Sequence, residues 1–584
     1  MGAGTDATGR AARLRAAAER HGWLLVLVPA LLLAYLLVWR RGLYADDYAV
    51  RTWVVDPATG VLRSLLDPAR HPFFPLRPLA IELDNVLATL LLVNEAALRA
   101  VVALAVGVNA LLVAALARRL TGSRLAAVVS GWLFAVPLFA FEAVLWTVGN
   151  AHYVLPTMLA LLSLHAYCRA VEGLAFRKWT ALATLTFAMA VASIEQFAAV
   201  AFLVPFLPGG RPDEPRRARV RRRLAVVAPA VLVSLALFGL YAAGNRLTAA
   251  RGGLDASPLH VVGRLPGYAG RLWLLTFSPD WGLRLAREAW ARGTAAVAGS
   301  WAALGLVGLA LAGLIVLVAA WRADAAGAER SDRAVARVLV LGVLWSVSAY
   351  LFPSILIRAQ ASPSRLLYFP MAGASLALGA AARLATRGRR GAERAALAAC
   401  AGLAVGSAVC MLGYASAYAE RWRLDLRQLA AFRRAVPPPA LPPGVWLVPV
   451  ATDERLFGRE DATSRLLSGV FETSWSTTAA IGLEYRRTDV HAVAGSRWSP
   501  ARFALGGGRG GSELRVQEVV VPLDRTLVFT YRDSAALPIE SLRLEAAGGD
   551  VRTVPLPVGR ALRAAGVPTI EAVVVGPDGS VEPL

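Results

Sequence analysis

Two adjacent carboxylates, Asp46 and Asp47 in the stretch YADDYAV, follow directly on an apolar run that begins at Trp23. Side-by-side acids repel, and keeping both ionised costs more near a low-dielectric bilayer. Such a pair is either a solvated loop or a device that holds a proton acceptor ready. Other polar groups stand at the ends of apolar stretches: His71, Arg77, Glu142, His152, Glu195, Arg358 and Arg365. A carboxylate within hydrogen-bond reach can take the proton of an attacking hydroxyl. An arginine can hold a phosphate through two charge-assisted hydrogen bonds. Each residue alone reads more readily as a solvated helix end than as a catalytic group, so what matters is whether one set of elements gathers them.

The composition names those elements. Hydrophobic residues make up 57% of the 584, and the mean hydropathy is +0.52. Apolar runs of about 18 to 22 residues recur, long enough to cross roughly 30 Å of hydrocarbon as helices. The sequence therefore predicts a polytopic α-helical membrane protein with a soluble tail. An outer-membrane barrel is excluded by the length of these runs.

The formal charge of +22 invites a nucleic-acid reading, and its distribution refuses it. Lys178 is the only lysine among the 62 basic side chains, and the arginines cluster between hydrophobic runs, as in RPDEPRRARVRRR (211–223) and RGRRGAER (387–394). Short basic loops of this kind mark the cytoplasmic face. With the basic N-terminus inside, they predict eleven spans in the cell membrane: 23–40, 96–117, 124–141, 150–168, a pair within 179–207, then 224–243, 300–320, 336–353, 366–384 and 396–417. The pair within 179–207 is joined by an outward turn carrying Glu195. Residues 76–92 and 419–436 read as interfacial helices. This topology puts every polar group named above on the extracytoplasmic face.

After the stiff linker PPPALPPG (437–444), short runs such as VWLVPV, RTLVFTYR and IEAVVVG predict a β-rich extracytoplasmic domain over 445–584. The run GGGRGG (506–511) lacks the strand-then-helix setting of a phosphate cradle and reads as a loop. Cys168, Cys400 and Cys410 lie in or beside spans, so the outer parts have no disulfide framework and no cysteine-based zinc site. No metal or cofactor is expected.

Chemistry that suits such a face is sugar transfer from a donor anchored in the bilayer through a polyprenyl phosphate. The leaving group is then a phosphate monoester, and the metal-binding acids that handle nucleotide diphosphates are not needed. The residues also carry a family likeness. The chain resembles the GT-C superfamily of polytopic glycosyltransferases, especially its protein O-mannosyltransferase-like members. The likeness lies in ADDY after the first span, LRPLAIEL (76–83), FEAVLW (141–146), SIEQ (193–196) and SRLLYFP (364–370), in the family's order over about the first 420 residues. Ile194 stands where relatives often place lysine, and Ser364 where they often place glutamate.

The resemblance implies a transferase domain over 1–436 that moves a sugar, with inversion, onto a protein, lipid or polysaccharide hydroxyl. It implies Asp46 as general base with Asp47 as companion, and Arg365 and then Arg77 as donor-phosphate ligands. Glu142, Glu195, His71 and His152 are left to the acceptor side or to support. Two other readings compete. A transporter or lipid flippase would need polar groups along a path near mid-membrane; a scaffold whose outer domain binds wall polymer would make ADDY a solvated loop.

Overall fold

The computed structural model describes, in the main, residues 77–137, 140–146, 149–173, 175–207, 215–248, 279–302, 331–349, 364–450, 474–494 and, with short breaks, 503–583. Asp46, Asp47, His71, Arg358, the expected first span and the GGGRGG run lie outside them. The described residues fall into two compact units that divide between Ala415 and Ser416.

The first unit is helical. Its elements are α1 (Pro78–Val93), α2 (Glu95–Thr121), α3 (Arg124–Ala135), α4 (Phe141–Leu145), α5 (Leu155–Val171), α6 (Phe176–Val191), α7 (Ala199–Leu203), α8 (Arg216–Thr248), α9 (Pro279–Ala298), α10 (Asp332–Ser348), α11 (Tyr368–Thr386) and the start of α12 (Arg390–Ala435). Local chemistry sets the boundaries. Pro78 opens α1, where its missing N–H costs nothing. The Asn94 side chain caps α2 by accepting from the Ala97 N–H at 3.1 Å. Gly122 closes α2 at φ 75°, a conformation that favours glycine.

Among the described residues, four helical stretches are long and apolar enough to cross a bilayer: Glu95–Thr121, Asn150–Val171, Arg365–Thr386 and Arg390–Ala435. One expected span has a different form. The segment 124–141 is the 12-residue α3, which stops before Pro137, followed by the short α4. A helix of that length rises about 18 Å, too little for a full crossing. The segment 179–207 breaks between α6 and Glu195, where Ile194 is extended at φ −158°. Residues 396–417 and 419–436, expected as a span and a separate interfacial helix, fall, up to Ala435, in one continuous helix, Arg390–Ala435. No proline or glycine interrupts it after Gly413, and Arg421 pairs with Asp425 one turn on at 3.0 Å.

Glycines let the helices meet closely, as suits association in lipid. A Cβ on Gly342 of α10 would stand 2.6 Å from the Gly373 carbonyl of α11, and one on Gly373 would stand 2.7 Å from the Trp345 side chain. Around the start of α11, Phe369 packs against Phe197 at 4.8 Å and Trp345 at 5.3 Å, while Tyr368 meets Phe134. The buried Asn109 of α2 donates to the Val154 carbonyl at 2.8 Å and to the Tyr368 hydroxyl at 3.3 Å. That one side chain ties α2, the start of α5 and α11 together.

The second unit begins with the last turns of α12 and contains α13 (Ser474–Tyr485) and α14 (Pro557–Ala564). Its strands are β1 (Trp446–Pro449), β2 (His491–Ala492), β3 (Phe503–Leu505), β4 (Glu513–Val516), β5 (Val519–Pro522), β6 (Thr526–Arg532), β7 (Ala535–Pro538), β8 (Ser541–Glu545), β9 (Val551–Pro555), β10 (Val573–Val575) and β11 (Val581–Pro583). They form sheets in the orders β2-β1-β6-β7, β11-β10-β8-β9 and β3-β4-β5. The pairs β1–β2, β1–β6 and β8–β10 are parallel, so the unit mixes helix crossovers with hairpins. Val448, Leu514, Val528, Leu542 and Val573 share its core.

Candidate functional site

One end of the helical unit gathers the charged groups. Arg77 precedes the first turn of α1, and Glu195 opens a 3-10 turn (Glu195–Ala198) after the break at Ile194. The Leu79 N–H donates to the Ala192 carbonyl at 3.3 Å, drawing the start of α1 onto that break. Arg77 then meets Glu195 as a fork: Nη2 to Oε1 at 2.9 Å and Nε to Oε2 at 3.3 Å. Next to it, Gln196 donates to the Leu366 carbonyl at 2.7 Å. This bond anchors the turn to a second 3-10 turn, Ser364–Leu367, which leads into α11.

Arg365 sits in that second turn. Its backbone N–H donates to Glu142 Oε2 at 3.3 Å, and its Nη1 lies 3.5 Å from the same oxygen. The guanidinium stacks over Trp146, 4.6 Å from the ring centroid, where the negative face of the indole favours a cation. Glu142 and Trp146 belong to α4 and its C-terminal end.

Between these pairs runs a π-helical turn, Asn150–Val154, which leads into α5. Such turns are rare and occur often at functional positions. It carries His152 and Tyr153, which reach different partners. His152 Nε2 lies 2.8 Å from Oδ2 of Asp84, a carboxylate only 3% exposed. Tyr153 is buried, close enough to Arg365, Arg77 and Glu195 for their charges to act on its hydroxyl. Asp84 follows Arg77 by seven residues, in the second turn of α1. On the same helix, burial pushes the Glu82 carboxyl up, and a hydrogen bond with Asn85 opposes the shift.

Electrostatically the site has two features. α1, and the 3-10 turn with α11, both begin here, and helix starts carry partial positive charge that suits anions. The side chains comprise two guanidiniums (Arg77, Arg365) and three carboxylates (Asp84, Glu142, Glu195), with His152 among them. The opposite ends of the helices carry separate contacts: Arg119 pairs with Glu172 at 2.5 Å, and Arg169 lies over Trp179.

Of the residues expected from the sequence, Arg77, Glu142, His152, Glu195 and Arg365 come together in this cluster; Asp46, Asp47, His71 and Arg358 lie outside the described residues. Asp84, Trp146 and Tyr153 join it without having been expected. The seven-residue step from Arg77 to Asp84 was the one signal for the first; Trp146 closes the FEAVLW motif without having been given a role, and Tyr153 read as an ordinary apolar residue. Among the described residues, no group of three or more His, Cys, Asp or Glu side chains is placed to hold a metal ion.

Among solved structures, the chain is similar to two of ArnT from Cupriavidus metallidurans. The one bound to undecaprenyl phosphate has 18% identity, with 80% of this chain and 90% of that chain covered and a TM-score of 0.31. The apo form has 16% identity, coverage of 88% and 94%, and a TM-score of 0.34. No family model and no curated protein matches the chain. Superpositions this loose carry no functional weight, so the reading rests on the chain's own residues.

Proposed function

We propose that the chain is a GT-C-type membrane glycosyltransferase, protein O-mannosyltransferase-like, that moves a sugar from a polyprenyl-phosphate donor to an acceptor hydroxyl at the extracytoplasmic face. One observation carries this reading. Arg365 and Arg77 are held by Glu142 and Glu195 at one end of membrane-length helices, beside two helix starts. A donor phosphate arriving from the bilayer finds two oriented guanidiniums and positive helix ends, and exchanges with the carboxylates that hold them. Arg365 is the first phosphate ligand and Arg77 the second.

Asp46 takes the acceptor proton and Asp47 orients the acceptor or its neighbour; both roles rest on the sequence pattern. Residues 1–436 make up the transferase, a polytopic helical domain with a cytoplasmic N-terminus. Residues 437–444 are a linker, and 445–584 form an extracytoplasmic domain. The acceptor is a protein, lipid or polysaccharide.

The test is turnover in membranes against a panel of polyprenyl-phosphate sugars, with and without a divalent-cation chelator. Transfer from at least one lipid donor that survives chelation supports the reading. Transfer by purified protein directly from a soluble nucleotide sugar counts decisively against it.

A further inference from the structure

We infer that the cleft between α2 and α3, at the basic end of the helical unit, binds an anionic phospholipid, with an acyl chain between the helices and the headgroup phosphate on Arg118. The site stands apart from the charged cluster that gathers Arg77 and Arg365 and is independent of the transfer reaction; it requires only that the chain sit in a membrane.

The cleft follows from residue size. Ala114, Ala115, Arg118 and Arg119 near the end of α2 and Ala127 in the first turn of α3 line a space of about 280 Å³. The α2 members are spaced three and four residues apart, so they share one face of that helix. Methyl groups leave room there that larger side chains would fill. The neighbouring helix α11 is engaged elsewhere on α3, where a Cβ on Gly379 would stand 2.6 Å from the Ala126 carbonyl.

Depth divides the lining into two parts. α2 is long and apolar enough to cross a bilayer, and the two arginines lie in its last turn. Side chains on a helix lean toward its N-terminus, so the arginine stems cover the turn that carries Ala114 and Ala115. The alanine-walled part is therefore on the hydrocarbon side, while the guanidiniums reach headgroup level. An apolar slot under a basic mouth at the end of a span suits a phospholipid.

Charge selects the headgroup. Arg119 is committed: Nε and Nη2 fork onto Glu172 at 3.1 and 2.5 Å, and Nη1 donates to the His165 carbonyl at 3.3 Å. Arg118 is exposed, and among the described residues its guanidinium has no hydrogen bond, ion pair or ring contact. Arg124, which opens α3 just after Gly122, adds a further positive charge to the same loop. A phosphate with no cationic headgroup completes this mouth, whereas the ammonium of a zwitterionic lipid is repelled by it. A linear acyl chain also suits a slot walled by methyl groups better than a methyl-branched polyprenyl chain. The loop RRLTGSR (118–124) is of the short basic kind expected on the cytoplasmic face, the leaflet that carries anionic lipid.

The experiment places full-length protein in nanodiscs of equal parts phosphatidylglycerol and phosphatidylcholine, releases it into detergent and counts the retained lipids by native mass spectrometry. Wild type is compared with Arg118→Gln, Ala115→Leu and Lys178→Gln. Arg118 is exposed and Ala115 partly so, which spares the core, and matched unfolding midpoints in detergent check this. Lys178 is an exposed basic residue of α6 that does not line the cleft, so it controls for diffuse surface charge.

Wild type should retain one phosphatidylglycerol in preference to phosphatidylcholine. Arg118→Gln should lower that preference about fivefold, the effect of one basic side chain at an anionic surface. Ala115→Leu keeps every charge but fills the slot, and should lose the retained phosphatidylglycerol. Lys178→Gln should match wild type. No lipid preference in wild type, an unchanged result in either Arg118→Gln or Ala115→Leu, or an equal loss in Lys178→Gln would overturn the site. An equimolar addition of polyprenyl phosphate should leave the count unchanged; displacement by it would assign the cleft to that lipid instead and overturn the phospholipid reading.

Discussion

Arg77 and Glu195, 118 residues apart in sequence, meet as a two-bond fork with Nη2 and Oε1 2.9 Å apart. Both are mostly buried, so removing one leaves the other's charge poorly compensated. Arg77→Ala is expected to lower stability by about 1–3 kcal/mol and to weaken donor binding. Glu195→Gln should instead leave donor affinity unchanged or tighter, because it removes the anion that competes with phosphate for the guanidinium. Thermal unfolding in detergent and donor KM in membranes check both. Weaker donor binding in Glu195→Gln would mean that the carboxylate positions Arg77 rather than competing for it.

Arg365 has a more demanding environment: one oxygen of Glu142, the face of Trp146 and Tyr153. A lysine keeps the charge but cannot stack flat or offer a fork. Arg365→Lys should therefore raise donor KM and lower kcat together, with Arg365→Ala worse on both counts. A lysine variant with wild-type constants would show that charge alone suffices and would count against bidentate phosphate binding.

How far the sequence disclosed this site differs from residue to residue. Counting spans from the arginine loops put Glu142, His152, Glu195 and Arg365 at the same kind of position, because charge at a span end is visible in one dimension. Their pairing was not, since it depends on where 3-10 and π turns redirect the chain. Asp84 was hidden for the opposite reason. It lies inside an apolar stretch, and its meaning comes from a histidine 68 residues away. The one-helix form of 390–435 was missed because a charged run after a span reads as an interface, whereas the i,i+4 pair Arg421–Asp425 and the absence of a breaker carry the helix on.

The α10–α11 crossing can be tested separately from chemistry. An alanine at Gly342 would force its Cβ to within 2.6 Å of the Gly373 carbonyl, and backbone on both sides leaves little room to yield. Gly342→Ala is expected to cost about 1–3 kcal/mol, read as a lower unfolding midpoint in detergent. Gly402 of α12 has nothing within 4 Å of the added carbon, so Gly402→Ala should be neutral or slightly stabilising. Equal effects at the two sites would refute close packing as the cause.

In the second unit, Arg487 forks onto Asp489 at 2.6 and 2.8 Å, and the Gly444 N–H donates to the same carboxylate. The Arg487 hydrogen bonds first, and the Gly444 bond next, hold the Asp489 carboxyl far below the usual range. A depressed folded-state value means stability that is present above the unfolded value, about 3.9, and lost as pH falls through the folded one. The side chain is 44% exposed, so screening limits the contribution to about 1 kcal/mol or less. Arg487 also donates to the carbonyls of Leu441 and Pro442 at 2.9 Å, so the pair fastens the proline-rich segment. Asp489→Asn should speed hydrogen exchange in residues 437–494 at pH 7, and the difference from wild type should shrink toward pH 2. A difference that persists undiminished there would mean that packing, not charge, is responsible.

The acidic pair tests the proposed chemistry most directly, although Asp46 and Asp47 lie outside the described residues. If Asp46 is the base, Asp46→Asn keeps size and donor affinity but removes the proton acceptor. Loss of a general base typically costs about two to four orders of magnitude in rate. Asp47→Asn should cost less, because a companion carboxylate only orients the acceptor or shifts its neighbour's proton affinity. Neither change should raise donor KM, which separates both from Arg365→Ala, where a contact made in the ground state and the transition state is removed. Turnover and donor KM for the three variants, in membranes with matched expression, distinguish these cases. If only Asp47→Asn is inactive, the two carboxylates exchange roles and the chemistry stands. Near-wild-type turnover in both Asp variants would make ADDY a solvated loop, and the base would have to be sought among the carboxylates that now hold Arg77 and Arg365.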